Sequence, residues 1–405
     1  MTKYYLLMIV VWWSLTSMTT LNACSSRINK TTVNTTTAIE QKNSAATTVT
    51  SGEVIMGAAR TSEYVPLLKG KRVALLSNQT GMVGDQHTLD LMLENGVNVV
   101  TIFSPEHGFR GKADAGEHVS SSVDEKTGIP IASLYDGKSP MPKKEVMDGI
   151  DIVVTDIQDV GLRFYTYYVT MINLMDAAVT YGKQFMVLDR PNPNGMYVDG
   201  PILDMSLKSG VGRLPIPTVH GMTLAELAQM ANGEGWLKDG KKCDLTVAPS
   251  PNLPNMLSIY LYPSMCYFEG TTVSLGRGTD WPFQVYGHPD MTGYSFEFTP
   301  TSRPGAKTPP QMGQLCHGVD LHNLDAEEVI AKGINLEYVI DAYRNLTKNG
   351  KQFYLNSNFF DLLMGTKRVR EMIVQGKSAA DIKATWQADV ELFKAQRRPY
   401  LLYDE

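Results

Sequence analysis

The chain has 405 residues, enough for two or three domains of about 150 residues each. Hydrophobic residues make up 43% of it and charged residues 20%, a balance that excludes a disordered chain, a collagen-like chain and a polytopic membrane protein. The formal net charge of −5 excludes a globally basic surface, so no nucleic-acid partner is expected.

The first 24 residues predict export and a lipid anchor. Lys3 precedes an apolar run over 4–13, which is too short to span a membrane but suits the hydrophobic region of a signal peptide. The letters LNAC at 21–24 resemble a bacterial lipobox, which implies cleavage before Cys24 and a diacylglyceryl group on Cys24. The alternative is an ordinary secretory signal with an incidental cysteine. Residues 1–23 are therefore expected to be the signal peptide of a membrane-anchored lipoprotein of the bacterial cell envelope, facing the periplasm or the cell surface.

Residues 24–57 are expected to form a flexible tether. Thr, Ser, Asn and Ala dominate this stretch, and it has few large apolar side chains. Such a composition cannot offset the entropy cost of ordering the chain. Lipidation of Cys24 would leave three cysteines, Cys243, Cys266 and Cys316. Because disulfides use cysteines in pairs, at least one of the three is predicted to be a free thiol. All three are expected to be buried.

Apolar strands alternate with helices from residue 71 onward. The pattern predicts strands at 72–77, 97–103, 129–135, 151–156 and 184–189, and helices at 87–94 and 164–181. This alternation is typical of a mostly parallel sheet with helices on both faces. The α/β fold is therefore expected to be Rossmann-like. No GxGxxG follows the first strand, so no dinucleotide is expected, and no other cofactor is expected either. The predicted catalytic domain covers residues 58–275.

The remainder of the chain predicts a smaller α+β C-terminal domain over 276–405. One helix is expected before it, at Leu224–Ala231, and Thr223-Leu-Ala-Glu226 fits a capping box, so Glu226 is expected to be structural. After residue 276 a strand mixes with helices, at 294–298 and at 326–331, 337–348 and 379–397.

Polar side chains collect where four predicted strands end. The segments are SNQTG at 77–81, SPEHGFRG at 104–111, DIQDVGLRFYTY at 156–167 and LDRPNPNG at 188–195. Ligands of open α/β sheets bind at the carboxyl ends of the strands, so these segments predict one shared cleft. Residues 268–281 are expected to approach it from the domain junction. The residues expected to line it are Asn78, Glu106, Arg110, Gln158, Arg163 and Asp189.

Together with FEGTTVSLGRGTDWPF at 268–283, these segments resemble the motifs of the exo-β-N-acetylmuramidase (NamZ-type) family of bacterial peptidoglycan hydrolases. The resemblance covers residues 58–405. It implies a glycoside hydrolase with a Rossmann-like N-terminal domain and a smaller C-terminal domain. It also implies release of N-acetylmuramic acid from the non-reducing ends of peptidoglycan fragments, so the expected partners are muropeptides and related saccharides.

Glycoside hydrolysis needs a carboxylic acid that protonates the leaving oxygen and a second group that supplies or activates the nucleophile. Glu106 is the expected acid because it follows an apolar strand beside Pro105 and Phe109, where partial desolvation favours a protonated carboxyl. Its structural alternative is to cap a loop or a helix. His107 is expected to orient Glu106 or to bind a substrate hydroxyl, or else to pack in the core.

The second catalytic group is expected to be Asp156, with Asp159, Asp189 and Glu269 as further candidates. Each of these carboxylates could instead tie down a neighbouring loop. The 2-acetamido group of the substrate could also be the nucleophile, in which case Asp156 would orient it.

Arginines and aromatic residues are expected to bind the substrate. Muramic acid carries a lactyl carboxylate that glucosamine lacks, and a planar guanidinium binds a carboxylate through two hydrogen bonds. The candidates are Arg110, Arg163, Arg190 and Arg277, each of which could instead pair with a nearby aspartate. Four aromatic residues could pack against a sugar ring or could instead pack in the core, namely Tyr165, Tyr167, Trp281 and Phe283.

A metal site is not expected, because the possible ligands show no HxxxH, HxH or HExxH spacing. These possible ligands are His107, Asp156, Asp159, His220 and His288. The main alternative to an enzyme is a lipid-anchored protein that binds muropeptides between its two domains without cleaving them. Such a protein needs the same arginines and aromatic side chains but no general acid.

Overall fold

The computed structural model describes residues 55–110, 117, 120–134, 139, 141–249, 257–303 and 305–403. The predicted signal peptide, Cys24 and nearly all of the predicted tether lie outside these ranges. Within them, every helix is too short or too polar to cross a membrane.

Strands in the described part of the chain form three sheets. They are β1 (Val73–Ser77), β2 (Met82–Val83), β3 (Gln86–His87), β4 (Val99–Ser104), β5 (Ser122–Val123), β6 (Pro130–Ser133), β7 (Ile152–Asp156), β8 (Gln184–Leu188), β9 (Asp244–Ala248), β10 (Val285–His288), β11 (Phe296–Phe298) and β12 (Cys316–Asp320). The large sheet has the order β5-β6-β4-β1-β7-β8-β9, in which β5 alone is antiparallel to its neighbour. The order β10-β12-β11 forms an antiparallel sheet, and β2 and β3 form a hairpin.

The helices lie around the large sheet and throughout the C-terminal part. They are α1 (Thr61–Leu68), α2 (Thr88–Glu94), α3 (Lys144–Asp148), α4 (Thr166–Tyr181), α5 (Leu224–Gly233), α6 (Leu257–Met265), α7 (Ala326–Lys332), α8 (Glu337–Lys348), α9 (Phe359–Met364), α10 (Arg368–Val374), α11 (Ala379–Ala384) and α12 (Gln387–Arg397).

The large sheet forms because its central strands are apolar on both faces. In β1, Ala74 and Leu76 pack in the same core as α4 and α5, while Val73 and Leu75 pack in a second core with α1 and α2. Successive strand residues point to opposite faces, so a strand covered on both sides must be apolar at consecutive positions. The predicted mostly parallel α/β architecture with a smaller C-terminal part is confirmed.

The differences from the predicted elements have local causes. Strand β9 was not predicted because it lies at a sheet edge, where Asp244 and Thr246 are exposed and interrupt the apolar run. The helix expected over 379–397 is two helices, because Trp386 at the break turns inward and its indole Nε1 donates to Asp199 Oδ1 at 2.9 Å. The capping box of α5 is confirmed, including both hydrogen bonds between Thr223 and Glu226.

Asp199 attaches the C-terminal helices to the rest of the fold. Besides Trp386, its buried carboxylate accepts hydrogen bonds from the backbone N–H groups of Gly200 at 2.8 Å and Ile334 at 3.0 Å. The Lys383 ammonium lies 2.7 Å from Oδ2. A buried carboxylate is tolerated when it is bonded in this way, so the same contacts that satisfy Asp199 hold α11 and α12 in place.

A buried ion pair between Asp156 and Arg190 joins the carboxyl ends of β7 and β8. The guanidinium donates through Nε to Oδ1 at 2.6 Å and through Nη2 to Oδ2 at 3.0 Å. The side chains are 0% and 4% exposed. Arg190 Nη2 also donates to the Met82 carbonyl at 2.9 Å, and the Thr88 hydroxyl donates to Asp156. The pair therefore links two strand ends to the β2–β3 hairpin and α2.

Replacing Arg190 with methionine should lower the free energy of unfolding by about 3–5 kcal/mol, because the substitution leaves the Asp156 carboxylate buried without its cation. Urea unfolding at neutral pH measures the change. Arg72→Met is the matched control, since it removes an ion pair with Asp151 that lies at the surface, and it should leave the urea midpoint almost unchanged. An Arg190→Met protein as stable as the wild type would contradict a stabilising role for the Asp156–Arg190 pair.

Candidate active site

A cavity of about 490 Å³ lies where the segments after β4 and β7 meet the C-terminal part of the chain. Its volume is within the range of roughly 300–1,000 Å³ that small-molecule sites occupy. The polar and charged lining residues are Glu106, His107, Thr166, Ser209, Cys266, Glu269 and Arg277. The aromatic, apolar and glycine lining residues are Phe164, Tyr165, Tyr167, Gly210, Val211, Tyr262, Phe359, Leu362 and Leu363.

The carboxyl group of Glu106 has its orientation set by the start of α4. Glu106 is 8% exposed, and the Thr166 hydroxyl donates to its Oε2 at 2.6 Å. Thr166 is the first residue of α4, so two strand-end segments meet at this carboxyl. The sequence reasoning did not single out Thr166. A hydroxyl at the start of a helix that follows a polar strand end is the signal that could have found it.

The backbone is strained directly after Glu106. His107 lines the cavity with φ of +68°, a left-handed conformation that residues with a β-carbon adopt at a cost, and Gly108 follows with φ of +78°. Conformations of this kind persist where the surrounding structure enforces them, and they cluster at functional sites. The strain is a local sign that the loop carrying Glu106 is held in one shape.

Tyrosine rings form one wall of the cavity. Tyr165 contacts Tyr167 edge-to-face at 4.8 Å between ring centroids and contacts Tyr262 at 6.1 Å. Burial raises the pKa of Tyr167 to about 12, so its phenol is neutral at physiological pH. Tyr262 lies on α6, which was not predicted, and its role was therefore missed. The wall offers flat, uncharged faces of the kind against which a sugar ring can pack.

An ion pair between Glu269 and Arg277 also lines the cavity. Arg277 Nε and Nη2 both donate to Glu269 Oε1, at 3.0 and 2.6 Å. The guanidinium carbon lies 5.0 Å from the centroid of the Phe283 ring. Burial acts to lower the pKa of Arg277, but Glu269 raises it above its usual value, so the guanidinium stays charged.

The cavity brings together part of the predicted cleft. Of the six residues predicted to line it, Glu106 lines this cavity, and segment 268–281 contributes Glu269 and Arg277. His107 and Tyr165, predicted as site residues, line it as well. The residues that do not line it are Asn78, Arg110, Asp156, Gln158, Arg163, Asp189 and Arg190. Most of their polar groups bond within the protein, whereas Nε and Nη1 of Arg163 are buried without a hydrogen-bond partner among the described residues.

Loop contacts account for three of these residues. Asn78 Oδ1 accepts hydrogen bonds from the backbone N–H and the hydroxyl of Thr80, at 2.9 and 2.6 Å. Gln158 Nε2 donates to the carbonyls of Asp159 and Pro191. Arg110 is exposed, and its Nη2 lies 2.5 Å from Asp124 Oδ1.

Arg163 is fully buried and has no carboxylate partner among the described residues. Its Nη2 donates to the Thr218 hydroxyl at 3.2 Å and to the Leu363 carbonyl at 3.0 Å. Burial lowers the pKa of this guanidinium. The hydrogen bond to Leu363 therefore connects the segment after β7 to α9.

Asp189 holds together three distant parts of the chain. Its Oδ1 accepts from the Ala225 N–H at 3.0 Å, at the start of α5, and its Oδ2 accepts from the Tyr403 hydroxyl at 2.6 Å. Its backbone carbonyl accepts from the Gly57 N–H at 2.9 Å. Burial raises the pKa of this carboxyl to about 7. These contacts assign Asp189 to the framework of the fold.

Asp159 is a buried carboxyl with one unused oxygen. Oδ1 accepts from the Gly161 N–H at 2.8 Å, whereas Oδ2 has no hydrogen-bond partner among the described residues. Burial raises the pKa of Asp159 to about 7. The group does not line the cavity, so its neutral form is a consequence of burial within the loop after β7.

The remaining candidates pack within the protein. Trp281 stacks on His322 at 5.7 Å between ring centroids, and Phe283 packs against Tyr262 at 4.2 Å. Burial lowers the pKa of His220 to about 3. The cysteines in the described part of the chain are buried free thiols, namely Cys243, Cys266 and Cys316. In that same part, no three His, Cys, Asp or Glu side chains are grouped as a metal site.

Comparisons with known proteins agree along the length of the chain. Residues 73–260 match the family model described as exo-beta-N-acetylmuramidase NamZ, N-terminal, and residues 260–403 match its C-terminal counterpart. The peptidoglycan beta-N-acetylmuramidase NamZ of Bacillus subtilis (strain 168) is 38% identical over 375 residues, covering 84% of this chain and 89% of that protein.

Two crystal structures of DUF1343 family proteins from Bacteroides fragilis NCTC 9343 are similar to this one. The first has a TM-score of 0.80 at 58% identity, and the second has a TM-score of 0.73 at 29% identity. Each match covers 87% of this chain and 99% of the crystallised chain.

As pH rises from about 4 to 7, the free energy of unfolding should fall less in Asp159→Asn than in the wild type. An unfolded aspartate has a pKa near 3.8 and folded Asp159 has a pKa of about 7, so the folded state holds a proton that the unfolded state releases in this interval. The free energy of unfolding of the wild type therefore falls by up to about 1.4 kcal/mol for each pH unit in this interval. The stability that the proton on folded Asp159 contributes is lost above pH 7. Urea unfolding of both proteins across the interval gives the two slopes. Equal slopes would mean that the pKa of Asp159 is the same in the folded and unfolded states.

Proposed function

The chain belongs to the exo-β-N-acetylmuramidase (NamZ) family, and on that premise we propose that it is a glycoside hydrolase that releases N-acetylmuramic acid from the non-reducing ends of peptidoglycan fragments. The observation that carries the proposal is the position of Glu106, a carboxyl of fixed orientation in the wall of a cavity lined by aromatic rings. The Bacillus subtilis relative is named as a β-N-acetylmuramidase, which favours catalysis over muropeptide binding alone.

Glu106 is proposed as the general acid. A glycosidase must protonate the leaving oxygen as the bond to the sugar breaks, and a carboxyl in the cavity wall can reach that oxygen. The hydrogen bond from Thr166 fixes one side of the carboxyl, so the acid does not have to be reoriented during the reaction. The strained backbone at His107 holds the same loop. Both features support a positioned acid.

The second catalytic group is better sought at Glu269 than at Asp156. Of the four carboxylates considered for this role, Glu269 is the one that lines the cavity, where it pairs with Arg277, whereas Asp156 and Asp159 lie outside the lining. Asp189 is engaged with Tyr403 and the start of α5. The substrate acetamido group remains the alternative nucleophile.

Glu106→Gln should lower kcat on a chromogenic β-N-acetylmuramide by about 10²–10⁴-fold, because the amide keeps the size of the side chain but cannot transfer the proton. KM should stay similar. Glu328→Gln, at an exposed carboxyl of α7, is the matched control and should keep wild-type turnover. The assay is run with and without a chelator and repeated on the corresponding glucosaminide.

Each outcome of that assay bears on a separate part of the proposal. Undiminished turnover by Glu106→Gln would remove Glu106 from the mechanism. Inhibition by the chelator would indicate a metal-dependent hydrolase. Cleavage of the glucosaminide alone would rule out the proposed sugar.

We further propose that the protein is a lipoprotein of the bacterial cell envelope, anchored through Cys24. The proposal is supported by the apolar run over 4–13, the LNAC sequence at 21–24 and the Thr- and Ser-rich composition of residues 24–57. Two or more acyl chains bind a membrane stably where one does not.

Cys24→Ser should shift the protein from the membrane fraction to the soluble fraction, because serine has no thiol to which the diacylglyceryl group can be attached. Fractionation followed by immunoblotting measures the distribution. Cys243→Ser, which changes a buried cysteine of the folded part, is the control and should stay with the membrane. Equal membrane association of Cys24→Ser and wild type would contradict the anchor.

A further inference from the structure

One arginine is among the described residues that line the cavity. Four arginines were candidates for binding a carboxylate, and three of them lie outside the lining of this cavity. Arg110 pairs with Asp124, Arg190 pairs with Asp156, and Arg163 is buried and donates to the Leu363 carbonyl. The remaining one, Arg277, lines the cavity, and no other lining residue in the described ranges is an arginine or a lysine.

The guanidinium of Arg277 is held in place with part of its donor edge unused. Nε and Nη2 share one acceptor, Glu269 Oε1, and the guanidinium lies over the Phe283 ring. Nη1 makes no hydrogen bond to any described residue. The side chain is 24% exposed, so it is partly desolvated but still accessible from the cavity. A fixed cation with a free donor can bind an anion with little further ordering.

The charges on the wall make this cation important for an acidic ligand. Glu106 and Glu269 are the acidic residues of the described lining, and both would repel an anionic substrate in their ionised forms. A cation next to Glu269 offsets that repulsion locally. The terminal sugar of the proposed substrate carries one carboxylate, on the lactyl ether at its 3-position. This group is the one that distinguishes it from N-acetylglucosamine.

We propose that Arg277, held by Glu269 against Phe283, is a specificity-determining residue that binds the lactyl carboxylate of the terminal sugar. The inference rests on the proposed function. A sugar without the lactyl group leaves Nη1 of Arg277 without a hydrogen-bond partner in a partly desolvated wall. Because an unpaired donor costs free energy, the site discriminates against a sugar that lacks this group. Arg277 thereby selects the substrate, while Glu106 acts on the glycosidic bond.

The test pairs a change in the substrate with a change in the protein. Two chromogenic β-N-acetylmuramides are compared, one with the free lactyl carboxylate and one with its methyl ester. For wild type, kcat/KM should be roughly 10- to 100-fold higher for the free acid, the range that a charged hydrogen bond gives. For Arg277→Met the acid-to-ester ratio should fall to about one. Arg277→Lys, which keeps the charge but not the planar guanidinium, should retain an intermediate preference.

The control and the outcomes separate this inference from the proposed function. Arg303→Met removes an exposed arginine paired with Asp280, and it should keep the wild-type ratio. A wild type that cleaves the acid and the ester equally, or an Arg277→Met enzyme that keeps the wild-type ratio, would overturn the role of Arg277 while leaving the hydrolase intact. A wild type that cleaves neither compound would overturn the proposed function itself. If Arg277→Met does not fold, the ratio for Arg277→Lys decides, and an unchanged ratio in that variant overturns the inference.

Discussion

The buried ion pair between Asp156 and Arg190 is the interaction on which the carboxyl edge of the large sheet depends. Neither charge is stable in that position without the other. Together they fix the ends of β7 and β8, and the segment that leaves β7 supplies Tyr165 and Thr166 to the cavity. Thr166 in turn orients Glu106. The segment that carries Thr166 therefore leaves the sheet at a strand end held by two residues that do not line the cavity.

The site also depends on contacts between parts of the chain that are far apart in sequence. Glu106 comes from the segment after β4, whereas Glu269 and Arg277 lie 163 and 171 residues nearer the C-terminus, and Phe359 lies further along still. Asp199 attaches α11 and α12 to the body with a fully bonded carboxylate. Burial of a charge is costly, so this attachment is stable only in the arrangement that satisfies it.

Sequence reasoning recovered the sheet better than the site. The central strands are apolar at consecutive positions, which marks them without reference to the rest of the chain, whereas β9 and α6 are stabilised by contacts that no local pattern reveals. Polar residues at strand ends either line a ligand site or bond to one another. Glu106 and Asp156 look alike in sequence, and their difference lies in partners supplied by other segments, Thr166 for one and Arg190 for the other.

The contacts of Asp189 bring the two ends of the described body to one place. Gly57, near the start, donates to its backbone carbonyl, and Tyr403, near the end, donates to its side chain. A short peptide could therefore join these two ends, and new ends could be opened at an exposed turn without disturbing the order of strands in the sheet. The fold is in this sense almost cyclic, and its connectivity lends itself to circular permutation.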